Sequence, residues 1–270
     1  MPIEFYDSLS EFSKSLPATG FKAQREQADD WSGYQTYTDA RRNMWTGDAH
    51  ALEQSEKLLA QVESDGLELE TSQWEHDRTG FIPCVPSYLA GSPDSMRRLV
   101  ETTSDVTPIK IFVDICLSAH FSSDELVKRG AAILALSRKL STVRPVECWV
   151  FASLDGKPQN RKDTYGQCAI PVIKIETNPL DLTTASYAFG NAAFLRRLCF
   201  AWGDVRGFTG SWAWHKGPHA NRAKLVEFLG IGESDMLIDG AYATDQLMKD
   251  PVKWVNDQVR RYASVLDTAS

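Results

Sequence analysis

Two apolar segments on either side of an amphipathic one most strongly constrain the fold of this chain. Residues 108–117 and 145–154 are almost continuously apolar, which is the pattern of strands buried on both faces. Between them, residues 122–142 begin with serines and acids and continue with apolar residues at helical spacing, so we expect an N-cap at Ser122 or Ser123. A strand, a long helix and a second strand predict a right-handed βαβ unit.

Further elements extend this unit towards the C-terminus. Residues 168–176 predict a third strand, 181–202 an apolar helix, 236–238 a short strand and 251–266 a last helix. We therefore expect an α/β fold with a central, mostly parallel sheet and flanking helices. In outline this arrangement resembles von Willebrand A and Rossmann-like domains.

The first hundred residues are more polar and richer in helical patterns. Residues 48–64 are the clearest amphipathic helix, with Asp48 as its expected N-cap. A further short helix is expected to begin at Ser92 or Asp94.

These differences divide the chain into two expected parts. Residues 1–104 would form an α-rich N-terminal part, with room for a small sheet of its own, packed on the core. Residues 105–270 would form the α/β core with a C-terminal helix. One N-terminal group of aromatic and basic residues fits either a binding surface or the core: Trp31, Tyr34, Tyr37, Arg41, Arg42 and Trp45.

Composition places the chain among soluble, intracellular proteins. Its 270 residues are 43% hydrophobic and 24% charged, and no apolar run approaches the roughly 18 to 20 residues of a membrane span. The N-terminus has acids where a signal peptide has cations, so we expect a cytoplasmic protein. The five cysteines are widely spread and form no C-x-x-C pair, so we expect reduced thiols and no zinc site or other cofactor.

The segment 205–226 carries the strongest functional signal. It interleaves aromatic and basic residues and contains no acid, although the whole chain has 36 acids against 29 bases. Cations contact phosphates and flat aromatic rings stack on unpaired bases, so this mixture is typical of a surface that binds single-stranded nucleic acid. The competing interpretation is that the tryptophans belong to the core. The candidate contacts are Arg206, Phe208, Trp212, Trp214, Lys216 and Arg222.

The segment 154–167 has the same chemistry. It joins two predicted strands, and its glycines, proline and asparagine favour a loop. Binding residues concentrate on such loops, although a solvated hairpin tip fits the pattern equally well. Its candidate contacts are Lys157, Arg161, Lys162 and Tyr165.

A third candidate site follows the first predicted strand. Residues 114–118 (DICLS) resemble the D-x-S-x-S metal motif of von Willebrand A domains, in which Asp114 and Ser118 would be ligands. Cys116 occupies the middle position, and a thiol is a poor ligand for a hard cation. We therefore expect the resemblance to concern the fold, and we expect no bound metal.

No catalytic motif accompanies these segments. The chain has no nucleophile elbow, no phosphate-binding P-loop and no glycine-rich dinucleotide loop after a strand. Its five histidines include no H-E-x-x-H spacing, and His120 beside Ser118 does not by itself make a triad. We expect a binding protein that is not an enzyme; a nuclease built on Asp114 with Asp105 or Asp124 is the weaker alternative.

Several short motifs together resemble a protein family of bacterial viruses. These are FYDSLSEF near the N-terminus, WSGYQTYTDA with WTGDA, VPSYLAGSPDSM, and the apolar segments IKIFVDICLSA and VECWVF in this order. The chain resembles the Drc-type family of N4-like bacteriophages, whose members are single-stranded DNA-binding cofactors of an RNA polymerase. The resemblance implies an early viral protein that helps recruit a phage RNA polymerase to unpaired DNA; it supplies no residue roles.

The sequence therefore predicts largely sequence-independent binding of single-stranded DNA in support of transcription. Because the net charge is −7, we expect this binding to depend strongly on salt. The alternative is a von Willebrand A-like adaptor that binds other proteins through the edge marked by Asp114 and Ser118.

Overall fold

The computed structural model describes most of the chain as one α/β unit. The described residues are 3–19, 27–62, 72–79, 82–101, 108–116, 121–142, 144–155, 168–176, 181–206, 222–240 and 246–269. The strands are β1 (Ile3–Tyr6), β2 (Ser72–Asp77), β3 (Ile82–Pro83), β4 (Met96–Glu101), β5 (Ile109–Asp114), β6 (Val146–Phe151), β7 (Leu154–Asp155), β8 (Cys168–Ile175) and β9 (Met236–Ile238). The α-helices are α1 (Leu9–Ser15), α2 (Tyr37–Thr46), α3 (Ala49–Leu59), α4 (Val85–Leu89), α5 (Ser123–Ser141), α6 (Leu182–Gly190), α7 (Phe200–Val205), α8 (Arg222–Leu229), α9 (Gln246–Lys249) and α10 (Pro251–Ala269).

The central sheet has the strand order β1-β8-β6-β5-β9, and β7 pairs with β8. Neighbouring strands are parallel in the pairs β1/β8, β6/β5 and β5/β9, and antiparallel in β8/β6 and β7/β8. The predicted α/β class and mostly parallel sheet are therefore confirmed. The strands β5 and β6, joined through α5, form the predicted βαβ unit.

Both faces of the sheet are covered because its strands alternate between two apolar clusters. Ile111 and Val150 belong to the larger cluster, on the face covered by α5. On the other face, Phe112 and Phe151 form a smaller cluster with Leu225 of α8. This double coverage explains why the strands are almost continuously apolar in sequence.

The helix α5 is the centre of the larger core. Its N-cap is Ser122, whose side chain accepts from the backbone N–H of Glu125 while the Glu125 carboxylate accepts from the backbone N–H of Ser122. This reciprocal capping box is the predicted helix start. The helix packs on the sheet and also contacts α3 and α6, so most of its circumference is buried. The N-terminal helices thus add an outer layer over α5.

The N-terminal residues also enter the sheet itself, which the sequence did not predict. β1 pairs with β8 along Ile3–Tyr6 and forms one edge of the sheet. The first strand of the chain therefore belongs to the same sheet as the strands that follow residue 104. Asp48 caps α3, as predicted.

Two local predictions were wrong. The segment expected to form a helix after Ser92 or Asp94 contains β4, which lies between β2 and β3 in a separate three-stranded antiparallel sheet. Pairing on both sides overrides the local helical preference there. The predicted helix 181–202 is interrupted after Gly190 and continues as a π-helical turn, Phe194–Cys199, before α7.

The π-helical turn ties the N-terminal layer to the core through two buried arginines. Arg196 donates to the backbone oxygen of Trp31 at 2.5 Å and stacks over the Trp31 ring, 5.2 Å from its centroid. Arg197, fully buried, donates to the backbone oxygens of Gln35, at 2.9 Å, and Gln27. A guanidinium has five donors in a planar fork, which suits it to satisfying several carbonyl groups at once.

Candidate nucleic-acid interface

The carboxyl ends of three parallel strands define one edge of the central sheet, here named the carboxyl edge. In the strand register Asp114 of β5 is opposite Phe151 of β6, and Val113 is opposite Ile238 of β9. Ligands of open α/β sheets bind outside the carboxyl ends of such strands. This edge is therefore the first place to locate the predicted binding segments.

The segment 156–167 begins and ends beyond this edge. Its two flanking residues, Asp155 and Cys168, are paired with each other at the end of the β7/β8 ladder. Further down the same ladder, Phe151 at the end of β6 is opposite Val172. The predicted contacts Lys157, Arg161, Lys162 and Tyr165 lie outside the described residues, but the positions from which their segment starts and returns are both at the carboxyl edge.

The segment 207–221 starts at the same edge. Arg206, the last described residue before it, binds Glu4 on β1. Glu4 is opposite Pro171 of β8, and the backbone N–H of Ala152, just after β6, donates to the Pro171 oxygen. Glu4 is thus level with the end of β6.

The described chain resumes after this segment at α8, which packs on one face of the sheet through Leu225 and Leu229. The loop after α8 contacts the end of the sheet opposite to the carboxyl edge, where Asp235 accepts from the backbone N–H of Lys110 at 3.2 Å. Phe208, Trp212, Trp214 and Lys216 lie outside the described residues, as does the side chain of Arg222.

Arg206 requires a correction, because the structure gives it an intramolecular role. Its Nε donates to Glu4 Oε1 at 2.7 Å and one terminal nitrogen to Glu4 Oε2 at 2.5 Å. The guanidinium also stacks 4.1 Å from the ring centroid of Trp202, which is fully buried and donates from Nε1 to the Tyr6 hydroxyl at 2.7 Å. We therefore remove Arg206 from the phosphate contacts. Its partner, Glu4, is 202 residues away in sequence, so sequence analysis could not identify this ion pair.

The stability that the cluster of Glu4, Tyr6 and Arg206 contributes depends on pH. The hydrogen bonds from Arg206 hold the pKa of Glu4 below its usual 4.5, while partial burial opposes them. Burial, together with the bond to Glu4, raises the pKa of Tyr6. A carboxyl with a lowered pKa stabilises the fold above its unfolded-state pKa, and this contribution is lost as the pH falls through the lowered value.

Arg206→Met should therefore destabilise the fold without weakening DNA binding. We expect a loss of about 1 to 2 kcal/mol at pH 7, because a half-buried bidentate ion pair and a cation–π contact disappear together. Urea unfolding at pH 7 and pH 3 checks this, and the loss should be smaller at pH 3. Glu4→Gln is the matched control and should share the pH dependence. A normal stability with a large loss of DNA affinity would restore Arg206 to the interface.

The Asp114 region has the features of a structural cluster. Asp114 is fully buried, and its Oδ1 accepts from the backbone N–H of Cys116 at 2.8 Å. Buried Arg129 donates to the backbone oxygens of Asp114 and Asp239, at 2.9 and 2.8 Å. A guanidinium so close already supplies positive charge, which disfavours a divalent cation.

Among the described residues, no further side chains complete a metal site around Asp114. Ser118, the other ligand in the resemblance to von Willebrand A domains, lies outside the described residues. Within the described ranges no three His, Cys, Asp or Glu side chains are grouped to hold a metal ion. The adaptor hypothesis therefore gains no support from this edge.

The N-terminal aromatic residues divide between the two interpretations. Tyr37 is buried, and Trp31 packs against the core beneath Arg196. Tyr34 and Trp45 are exposed by 68% and 50%. Arg41 donates to the backbone oxygen of Pro17 at 3.1 Å, and Arg42 pairs with Asp39 at 2.9 Å. Half of this group, namely Trp31, Tyr37 and Arg41, thus holds the N-terminal layer together, whereas the Arg42 ion pair lies within α2.

Fold and edge together define an α/β protein with an open sheet, from whose carboxyl edge two aromatic and basic segments start. The chain belongs to the family of the domain of unknown function DUF7192, whose model matches residues 2–264. No curated protein matches it, and no solved structure does. None of the helices in the described ranges is long and apolar enough to span a membrane.

Proposed function

We propose that this protein binds single-stranded DNA at the carboxyl edge of its sheet, through the segments 156–167 and 207–226. Trp212, Trp214 and Phe208 stack on bases, while Lys157, Arg161, Lys162, Lys216 and Arg222 contact phosphates. Because stacking is open to every base, binding is largely independent of sequence. The resemblance to phage polymerase cofactors adds that the protein helps recruit a phage RNA polymerase to unpaired DNA.

The observation that carries the proposal is the common origin of the two segments. Cys168 and Glu4 lie on neighbouring strands, which are roughly 5 Å apart, and differ by only a few residues in register. The return of the first segment and the partner of Arg206, which immediately precedes the second segment, are therefore on the order of 10 Å apart. A single strand of DNA a few nucleotides long can extend over such a distance and contact both segments.

Charge supports the same proposal. The segment 156–167 has three cations and one acid, and 207–226 has three cations and no acid, in a chain whose net charge is −7. A local basic surface on an acidic body attracts phosphates at short range only, since salt screens charges beyond about 10 Å. This favours binding that is moderate in affinity and steep in its salt dependence.

A salt series tests the role of the cations directly. Changing Lys157, Arg161 and Lys162 together to Gln should reduce the slope of log affinity against log salt by roughly 0.7 for each lost contact. The matched control changes Lys14, Lys57 and Lys139, on three different helices, to Gln and should leave the slope unchanged. An equal reduction in both variants would mean that only the overall charge matters, and the proposed interface would be rejected.

A further inference from the structure

The small sheet contains a cluster of polar residues around Cys84, far in sequence from the two segments proposed to bind DNA. Cys84 follows β3 and precedes α4, and its backbone N–H donates to the Ser95 oxygen at 2.7 Å. His76 of β2 is directly opposite Arg97 of β4, and Arg97 is directly opposite Ile82 of β3. Directly opposed residues of antiparallel strands share a face, and so do residues two apart. Cys84, His76 and Arg97 therefore lie on one face.

Hydrogen-bond donors and positive charge converge on the Cys84 sulfur. The Ser87 hydroxyl donates to Sγ at 3.2 Å. This bond is the largest of several effects that lower the pKa of Cys84 to about 6. The others are hydrogen bonds from the Ser87 backbone N–H and from His76, and the charge of Arg97, while burial acts in the opposite direction. Asp94, at the same end of the sheet, faces Arg78 at 3.7 Å. Among the described residues, the groups that act on Cys84 thus favour its thiolate.

Cys84 lies close to the protein surface. The residue is only 6% exposed, but the apolar residues next to it in the chain are open to solvent: Ile82 is exposed by 48%, Val85 by 59% and Tyr88 by 72%. Exposed side chains change rotamer within nanoseconds, so the surroundings of Cys84 can rearrange to admit small reagents.

The other described cysteines provide an internal contrast. Cys148 and Cys199 are fully buried, and burial raises the pKa of the first to about 12 and that of the second still further. Cys116 is buried and donates to the backbone oxygen of Ser153 at 3.3 Å. Buried thiols of this kind are inert, whereas a thiolate stabilised by donors and cations near the surface is nucleophilic.

We propose that Cys84, held among His76, Ser87 and Arg97, is a modification site that exchanges with small anionic disulfides such as oxidised glutathione. The Cys84 thiolate attacks one sulfur of the disulfide, the new S–S bond joins Cys84 to that half, and the other half leaves as a thiolate. The exchange is balanced, since one S–S bond forms as one breaks and no further oxidant takes part. The charge of Arg97 favours an anionic reagent, and the adduct forms beside the exposed apolar residues of α4.

Exchange kinetics on the full-length protein test this proposal. Oxidised glutathione and the cationic disulfide cystamine are each supplied in excess between pH 5 and pH 9, and the modified peptides are assigned by mass spectrometry. We expect Cys84 to react first, with a pH midpoint near 6, and to react at least several-fold faster with glutathione disulfide than with cystamine. Arg97→Gln should remove most of that preference, and Ser87→Ala should raise the midpoint while leaving Cys84 in place.

Two cysteine variants and the pH midpoint of the exchange decide whether the proposal holds. Cys84→Ser should abolish the fast phase, and Cys116→Ser, its matched control, should leave it unchanged, provided that circular dichroism shows both variants to be folded. If Cys84 reacts with a midpoint above 8, or no faster than in the urea-unfolded chain, the cluster does not activate the thiol and the proposal fails. An equal rate with the two disulfides in the parent protein would reject the anionic preference.

Discussion

Gly130→Ala should destabilise the protein by about 3 kcal/mol, although alanine is normally the better helix former by up to about 1 kcal/mol. Gly130 lies in the middle of α5, where α6 crosses it. A Cβ at this position would be 2.3 Å from the Cα of Gly190 and 2.5 Å from its nitrogen. Because both atoms belong to backbone, only a separation of the two helices would relieve the clash.

The reciprocal substitution provides a sharp control. A Cβ on Gly190 would be 3.3 Å from the Cα of Gly130 and 3.5 Å from the nearest other atoms, contacts that need a shift of only a few tenths of an ångström. Gly190→Ala should therefore cost much less than Gly130→Ala. Thermal unfolding measures both, and 3 kcal/mol corresponds to a decrease in Tm of roughly 6 to 12 °C for a domain of this size. Equal stabilities for the two variants would contradict the described helix crossing.

The double variant Trp212→Ala and Trp214→Ala should lose at least about 30-fold in affinity for single-stranded DNA. Each base-stacking tryptophan contributes about 1 to 3 kcal/mol, and about 2 kcal/mol in total already corresponds to this factor. The measurement is a titration of labelled single strands at fixed salt. Circular dichroism and Tm should be unchanged, because the proposal places both tryptophans on the binding surface.

Two controls make this result interpretable. Trp45→Ala removes an exposed tryptophan of α2, outside both segments, and should leave the DNA affinity unchanged. A loss of affinity in Trp45→Ala would instead indicate a second binding surface in the N-terminal layer. An unfolded double variant would mean that Trp212 and Trp214 are core residues, and the proposed stacking would be abandoned.

Local signals explain which elements could be predicted from the sequence. The helix α5 was predictable because its capping box is contained within four residues, from Ser122 to Glu125. The strands β5, β6 and β8 were predictable because burial on both faces makes them continuously apolar. In contrast, β1 is only four residues long, and its partner β8 begins more than 160 residues later. The alternation in IEFY was the available signal, and a signal of that length is too weak to assign a strand.

The candidate site was also predictable only where the signal is local in sequence. Composition alone indicated the two aromatic and basic segments, but it could not distinguish a cation that is free to bind phosphate from one that is already paired. Arg206 has the second role because folding brings Glu4 of β1 to it. Cys84 was likewise indistinct among five scattered cysteines, because its neighbours His76 and Arg97 are brought to it by pairing in the small sheet.

Fluorescence anisotropy of a labelled 20-nucleotide single strand, compared with a matched duplex, tests the central claim most directly. The protein is titrated at low and at moderate salt. We expect tighter binding to the single strand than to the duplex, and a marked loss of affinity as salt increases. Absence of binding to the single strand at low salt, or a preference for the duplex, would contradict the proposed function.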